Sequence, residues 1–346
     1  MIIKVSKREI EKLILDKNMN IAAADALFEF SFYSGENHIN KDDYLGEVSK
    51  YLEINPNDKE DKYFFDTRIA PAIKKLNIDD YKDNFYRNNI CPKEFKDKHY
   101  QLTYLEMKPY QCFPYDDIII DKDYIEVSRI GYFDKPYSYL AVMKDDVVWM
   151  STDINEINTM KEPILEAKGR VLAFGLGLGY FPIMAALKED VKDVTIVEYD
   201  QNIIDIFKKH ILPLVPFKEK LHIIKGDAFE FIKKDLAKEY DYLFIDIWHN
   251  PEDGLPMYLK LYKELKNQKI KVSYWLEKSI LAMYRRCLLT VIEESINGCT
   301  RKDYLKAKND YDKIINDLYF KTENRVFTSI NEIKEILQDK ELQKLI

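Results

Sequence analysis

The sequence is short of glycine, of paired cysteines and of long uncharged apolar runs. Its four cysteines form no Cys-x-x-Cys pair, and its five histidines show no metal-ligand spacing. We therefore expect four free thiols rather than disulfides or a zinc site, and we predict no metal site. No stretch of about 18 uncharged apolar residues occurs, so we predict no membrane-spanning helix.

The chain also lacks an excess of positive charge. Lys and Arg number 53, Asp and Glu number 60, and the formal net charge is −7. A negative chain is a poor candidate for general nucleic-acid or anionic-membrane binding, because both need a basic face. Residues 1–17 mix charges among their apolar residues and lack the apolar core of a secretory signal, so we predict a cytoplasmic protein.

Residue patterns divide the chain into four predicted segments. Residues 1–115 have mainly helical periodicity, and their many Tyr and Phe side chains either pack between helices or form a cap over a substrate. Residues 116–158 show strand patterns and predict a small antiparallel β-unit with a hairpin turn at Lys144–Asp146. Residues 159–298 are assigned to one ligand-binding domain. Residues 299–346 are predicted to be a helical extension, in which Leu318–Lys321 and Arg325–Thr328 are either helix ends or a β-hairpin.

The ligand-binding domain alternates strand and helix patterns regularly. Its predicted strands are Arg170–Phe174, Val194–Val197, Leu221–Ile224, Tyr242–Ile247 and Ile270–Trp275. Such alternation predicts parallel strands with helices on both faces. We therefore predict an α/β fold with a Rossmann-like, doubly wound, mostly parallel sheet, accompanied by the helical N-terminal region, the antiparallel unit and the helical tail.

The few glycines are concentrated directly after the first of these strands. Only 10 occur in the chain, yet four of them fall within residues 169–179. Glycine is needed where the backbone takes a positive φ or approaches a ligand closely, so Gly175, Gly177 and Gly179 mark a candidate ligand site. Tyr180 occupies the place of the third glycine of a dinucleotide fingerprint, and no Lys-Ser/Thr follows as in a Walker loop. A ligand without phosphates therefore fits this loop better than a dinucleotide or a nucleoside triphosphate does.

An acidic residue stands at the end of each of the next three strands. Glu198, Asp227 and Asp246 therefore share the edge of the sheet where open parallel sheets bind their ligands. A carboxylate at Glu198 can accept both ribose hydroxyls, and Asp227 can accept from the adenine amine or simply cap the helix that begins at Ala228. Asp246 would lie nearest the reacting centre. A carboxylate that ends an apolar strand is costly unless something satisfies it, so a purely structural role explains Asp246 poorly.

Four sequence stretches resemble motifs of class I S-adenosylmethionine-dependent methyltransferases. They are VLAFGLGLGYFP, IVEYD, GDAF and LFIDIW, and they lie within roughly residues 160–275. The chain is most similar to the spermidine-synthase-like branch of that superfamily, in which a small antiparallel β-unit also precedes the Rossmann-like core. The resemblance implies S-adenosylmethionine as cofactor, with its methionine and ribose at the glycine loop, its ribose on the second strand and its adenine on the third. The implied cofactor-binding residues are Gly175, Gly177, Gly179, Glu198, Tyr199, Asp227, Ala228 and Asp246.

Three positions bear on the choice of activity within that superfamily. Ala173 replaces the acidic residue common before the first glycine of methyltransferases, as it often does in the spermidine-synthase-like branch. His249 stands where aminopropyltransferases usually carry a second aspartate, and no counterpart of their polyamine-site glutamine lies near Trp149. We therefore predict methyl transfer from S-adenosylmethionine. The alternatives are an aminopropyltransferase that uses decarboxylated S-adenosylmethionine and a catalytically silent cofactor-binding module.

The predicted chemistry assigns two catalytic residues. Asp246 is the first candidate for a general base, and His249 is the second because histidine titrates near neutral pH. His249 has the alternative interpretation of a residue that packs in its loop. The sequence does not identify the methyl acceptor, for which we favour a small molecule, and it leaves a homodimer open.

Overall fold

The central element of the fold is a five-stranded sheet in which every strand pair is parallel. The computed structural model describes residues 1–33, 40–233, 235–300 and 307–346. The central strands, in chain order, are Gly169–Phe174, Val191–Glu198, Leu221–Lys225, Tyr242–Ile245 and Lys271–Tyr274. Their order in space is third, second, first, fourth, fifth. The chain therefore reverses direction across the sheet between the first and fourth strands, and that switch point is where such sheets bind ligands.

The first central strand shows why this sheet forms. Residues 171–174 (Val-Leu-Ala-Phe) are fully buried, because helices cover both faces of the sheet. The helices that connect the strands are Tyr180–Ala186, Gln201–Ile206, Ala228–Phe231 and Pro251–Leu265. Helix Glu277–Ile296 follows the last strand. This arrangement confirms the predicted Rossmann-like, doubly wound fold.

A four-stranded antiparallel sheet packs beside the central domain. In spatial order its strands are Val147–Ser151, Tyr137–Lys144, Tyr100–Met107 and Phe95–Lys96. The predicted hairpin is confirmed, and its two turn residues Asp145 and Asp146 have φ of 50° and 62°, as a tight two-residue turn requires.

The prediction that residues 1–115 are mostly helical is wrong in its last third. Strand Tyr100–Met107 pairs along its whole length with Tyr137–Lys144, so the antiparallel unit begins well before residue 116. Three short strands, Ile73–Lys75, Phe113–Pro114 and Ile130–Tyr132, form a further sheet, and Ile119–Ile120 pairs with Glu126–Val127.

The N-terminal helices surround a second, smaller core. They are Lys7–Tyr33, Lys41–Tyr51 and Lys59–Phe64, and the first also packs on Glu277–Ile296, whereas helix Phe85–Asn89 packs in the main core through Tyr86. Tyr44, Val48 and Ile69 are buried in the smaller core. Within the described residues, no helix is both long enough and apolar enough to span a bilayer.

The C-terminal segment contains helices Asp310–Thr322, Ile330–Ile336 and Asp339–Lys344. The β-hairpin considered for this segment is not formed. Leu318–Lys321 is helical, and Val326–Phe327 instead pairs in parallel with Ile2–Ile3 at the other end of the chain. Local sequence could not indicate this partner, because the two strands are more than 300 residues apart.

Candidate active site

The glycine loop lies at the carboxyl end of the first central strand and packs against the fourth. All three of its glycines have positive φ, from 52° to 94°. A Cβ at Gly175 would lie 1.9 Å from the carbonyl oxygen of Asp246, so only glycine allows this close approach. A Cβ at Gly177 would have no atom within 4 Å. Gly177 therefore presents bare backbone to open space, as a loop that passes under a ligand must do.

That open space is a cavity of about 630 Å³ across the ends of the central strands. It is lined by seven of the eight residues that the sequence assigned to the cofactor, together with His249. The eighth, Gly179, does not line it: a Cβ there would lie 2.2 Å from the ring of Phe207, so this glycine allows close packing of the loop. Its lining carries five carboxylates and, within the described residues, no lysine or arginine. The acidic residues are Glu156, Glu198, Asp200, Asp227 and Asp246. The cavity is therefore suited to a ligand that carries positive charge.

Glu198 ties the glycine loop to the second strand. One carboxylate oxygen, Oε2, accepts the backbone N–H of Leu176 at 2.9 Å, and Oε1 accepts that of Asp200 at 2.7 Å. Each oxygen retains a second lone pair for a ligand hydroxyl. Tyr199 is 76% exposed at the edge of the cavity, with the ammonium of Lys225 5.7 Å from its ring.

Asp227 fulfils the capping role that the sequence offered as its alternative. Its Oδ1 accepts the backbone N–H of Phe229 at 2.8 Å and so begins the helix at Ala228. The residue is nevertheless exposed and lines the cavity, as Ala228 does. Capping occupies one carboxylate oxygen and leaves the other available to a ligand.

Asp246 is a poorly compensated carboxylate of the cavity. It is only partly accessible, and its carboxylate accepts no hydrogen bond from the part of the chain that is described. Burial, with a smaller contribution from the negative charge of Glu198, raises the pKa of Asp246 from 3.8 to about 7. Such a group can take up a proton near neutral pH.

Glu156 is a site residue that the sequence analysis missed. It projects into the cavity from helix Ile154–Thr159, whose N-terminus is capped by Asp153. Burial, followed by the charges of Asp246 and Asp153, raises the pKa of Glu156 well above its ordinary value. No sequence motif marks it, because the helix is brought to the strand ends only by the fold.

His249 is held in place by a carboxylate one helical turn further along the chain. Its Nδ1 lies 2.9 Å from Asp253 Oδ2, and Asp253 also accepts the backbone N–H groups of His249 and Asn250. Burial raises the pKa of Asp253, but these hydrogen bonds outweigh burial and the net pKa is lowered. The imidazole packs edge-on against Trp149, with ring centroids 4.5 Å apart. Asp253 is thus a second functional candidate that sequence reasoning missed.

The N-terminal region does not form the predicted cap. Within the described parts of residues 1–115, no side chain lines the cavity. Two of its tyrosines instead form hydrogen bonds to residues that line the cavity: Tyr86 donates to the carbonyl of Leu178 at 2.6 Å, and Tyr100 donates to Asp200 at 3.2 Å. The cavity wall comes from residues 148–151 and the helix that follows them. Across the described ranges, no cluster of His, Cys, Asp and Glu is arranged to hold a metal ion.

The strand order, the glycine loop and the acidic strand ends together define a class I methyltransferase-like domain. Within this class, residues 170–272 match the family model described as Spermine/spermidine synthase domain. The match covers less than a third of the chain, and it confirms the resemblance of the central domain to the spermidine-synthase-like branch.

Solved structures similar to this chain include two spermidine synthases. One, from Thermotoga maritima, is 16% identical with a TM-score of 0.30, and the alignment covers 44% of this chain and 58% of that one. The other, in complex with the transition-state analogue AdoDATO, is 14% identical with the same TM-score and coverage. The chain thus spans little more than half the length of these proteins. No curated protein matches the sequence.

The family match corrects two predictions. Methyl transfer was predicted because His249 replaces an aspartate and no counterpart of the polyamine-site glutamine lies near Trp149, but the matched family is that of the aminopropyltransferases. The predicted donor, S-adenosylmethionine, is wrong for the same reason, since that family uses the decarboxylated form. Two departures from the family pattern were weaker grounds than the similarity of the domain as a whole.

Proposed function

We propose that this protein is an aminopropyltransferase, which transfers the aminopropyl group of decarboxylated S-adenosylmethionine to an amine. The observation that carries the proposal is the charge of the cavity. Five carboxylates line it, and no lysine or arginine does so within the described residues. The domain match to the spermine/spermidine synthase family supports the same activity.

Electrostatics favour the decarboxylated donor over S-adenosylmethionine itself. The decarboxylated molecule carries a sulfonium and an ammonium and has no carboxylate, so both of its charges are attracted by the acidic lining. A ligand carboxylate would instead add negative charge to a cavity in which burial and the charge of Glu198 already raise the pKa of Asp246. At the nucleoside end, the open backbone at Gly177 and the free lone pairs of Glu198 and Asp227 are available to the ribose and the base.

When bound, the donor supplies a methylene carbon activated by the adjoining sulfonium. The acceptor nitrogen must first lose a proton, after which its lone pair forms the C–N bond while the C–S bond breaks with its electrons on sulfur. Asp246 and His249 are the side chains that we assign to that proton, because both line the cavity and are joined by one short loop. Asp253 orients the imidazole, as a carboxylate does in other oriented histidines. Aligning the reactants is worth about 7–11 kcal/mol in such displacements, so positioning is the site's main contribution.

The proposal is tested by measuring which product the donor yields. The protein is incubated with decarboxylated S-adenosylmethionine or with S-adenosylmethionine, each with a panel of primary amines. We expect amine-dependent release of methylthioadenosine from the decarboxylated donor, and its loss in Asp246→Asn. In calorimetric titrations the decarboxylated donor should bind at least tenfold more tightly than S-adenosylmethionine.

Two results would contradict the proposal. Release of S-adenosylhomocysteine would show the wrong group transfer. Tight binding of the decarboxylated donor without turnover of any amine would show a silent binding module.

A further inference from the structure

A lysine ammonium without a carboxylate partner lies beside the acidic cavity. Lys144 Nζ is 4.4 Å from the ring centroid of Trp149 and 5.6 Å from that of Tyr100. Within the described residues, no carboxylate oxygen lies within 4 Å of this nitrogen and no hydrogen bond to it is formed. A half-buried ammonium with only aromatic neighbours is free to accept an anion.

The neighbours of Lys144 place it between two loops of the active site. Tyr100, its direct partner across the antiparallel sheet, donates to Asp200 after the second central strand. Trp149 contacts His249 after the fourth central strand. Lys144 therefore stands at the side of the cavity that faces the antiparallel sheet.

On that side the cavity reaches solvent. Val148 is 47% exposed and the His249 side chain is 55% exposed, whereas Phe181 and Phe244 close the inner wall as buried residues. An acceptor whose amine reaches Asp246 and whose other end leaves the cavity past Trp149 would bring that end towards Lys144. The cavity thus has an acidic lining and a cation beside this opening.

We propose that the acceptor is an amine that carries an anionic group at its far end, such as an amino acid, and that Lys144 selects it by pairing with that group. This inference rests on the proposed aminopropyl transfer. A diamine would place its second ammonium against the lysine, where like charges repel. The lysine thus determines specificity and has no part in the bond-making step.

The test compares three amines that share one four-carbon chain and differ only at the far end. They are 5-aminopentanoate, butylamine and 1,4-diaminobutane, with anionic, neutral and cationic ends. We expect kcat/KM for methylthioadenosine release to be at least tenfold higher for 5-aminopentanoate than for the other two. Lys144→Met should lower that value at least tenfold and change the value for butylamine less than twofold. Lys144→Glu should make the diamine the better acceptor.

A matched control and a binding measurement accompany the assay. Lys161 also places its ammonium over an aromatic ring, 5.3 Å from that of Tyr81, but this ring, unlike that of Trp149, does not line the cavity. Lys161→Met should leave the preference unchanged. Calorimetry with the methylthioadenosine complex should show 5-aminopentanoate binding that is weakened at least tenfold in Lys144→Met.

The outcomes separate this inference from the proposed function. Preference of the unaltered protein for the diamine, or an equal effect of Lys144→Met on all three amines, would refute the role of Lys144 and leave aminopropyl transfer intact. Failure of all three amines to release methylthioadenosine would overturn both.

Discussion

Replacing Asp246 with asparagine should stabilise the protein at alkaline pH while it abolishes activity. The structure raises the pKa of Asp246 from 3.8 to about 7, through burial and then the charge of Glu198. At 1.36 kcal/mol per unit, the ionised carboxylate costs up to about 4 kcal/mol above pH 7. Because the folded-state pKa is raised, this group's contribution to stability is full below pH 3.8 and is lost as the pH rises through 7.

The measurement is denaturant unfolding of both proteins between pH 4 and pH 8.5. The two should have similar stability at pH 4, and Asp246→Asn should be more stable by a few kcal/mol at pH 8.5. Asp241→Asn provides a control of opposite sign, because its hydrogen bond with Arg170 lowers the pKa of Asp241, so that its carboxylate stabilises the protein above pH 4. A stability difference for Asp246→Asn that is constant across this range would refute the reasoning.

Three further predictions concern the nucleoside end and the imidazole. Gly177→Ala should cost about 1–2 kcal/mol of stability through its positive φ alone, still fold, and weaken methylthioadenosine binding. Gly175→Ala should cost more, because its Cβ would also clash with the backbone of Asp246, and equal melting temperatures for the two variants would contradict this contrast. Glu198→Ala should weaken methylthioadenosine binding in calorimetry by about 1.5–3 kcal/mol, and unchanged affinity in a folded variant would remove its ribose role. Asp253→Asn and His249→Ala should each lower kcat at least tenfold with little change in KM. Because Asp253 acts through the imidazole, the double variant should be no slower than His249→Ala, and additive losses would exclude that coupling.

Local sequence patterns were sufficient to predict the central domain and the sheet edge at which its cavity lies. Apolar strands such as 171–174 alternate with helices along the chain. This alternation predicts a parallel sheet with helices on both faces, which is the doubly wound fold. Parallel strands bring their carboxyl ends to one edge, so Gly177, Glu198 and Asp246 could be placed in one cavity from their positions alone. The activity was predicted wrongly because it was inferred from His249 and from a missing glutamine near Trp149, not from the charge of the whole cavity.

The sequence by itself determined the strands, the glycine loop and the acidic strand ends, since each follows from interactions between residues close in the chain. Only the tertiary structure decided that Glu156 joins Asp246, that Lys144 stands beside the opening of the cavity, and that strand Tyr100–Met107 belongs to the antiparallel sheet. These placements depend on how separate elements pack against one another. Packing is governed by complementary surfaces and burial across long sequence distances, which no local periodicity records.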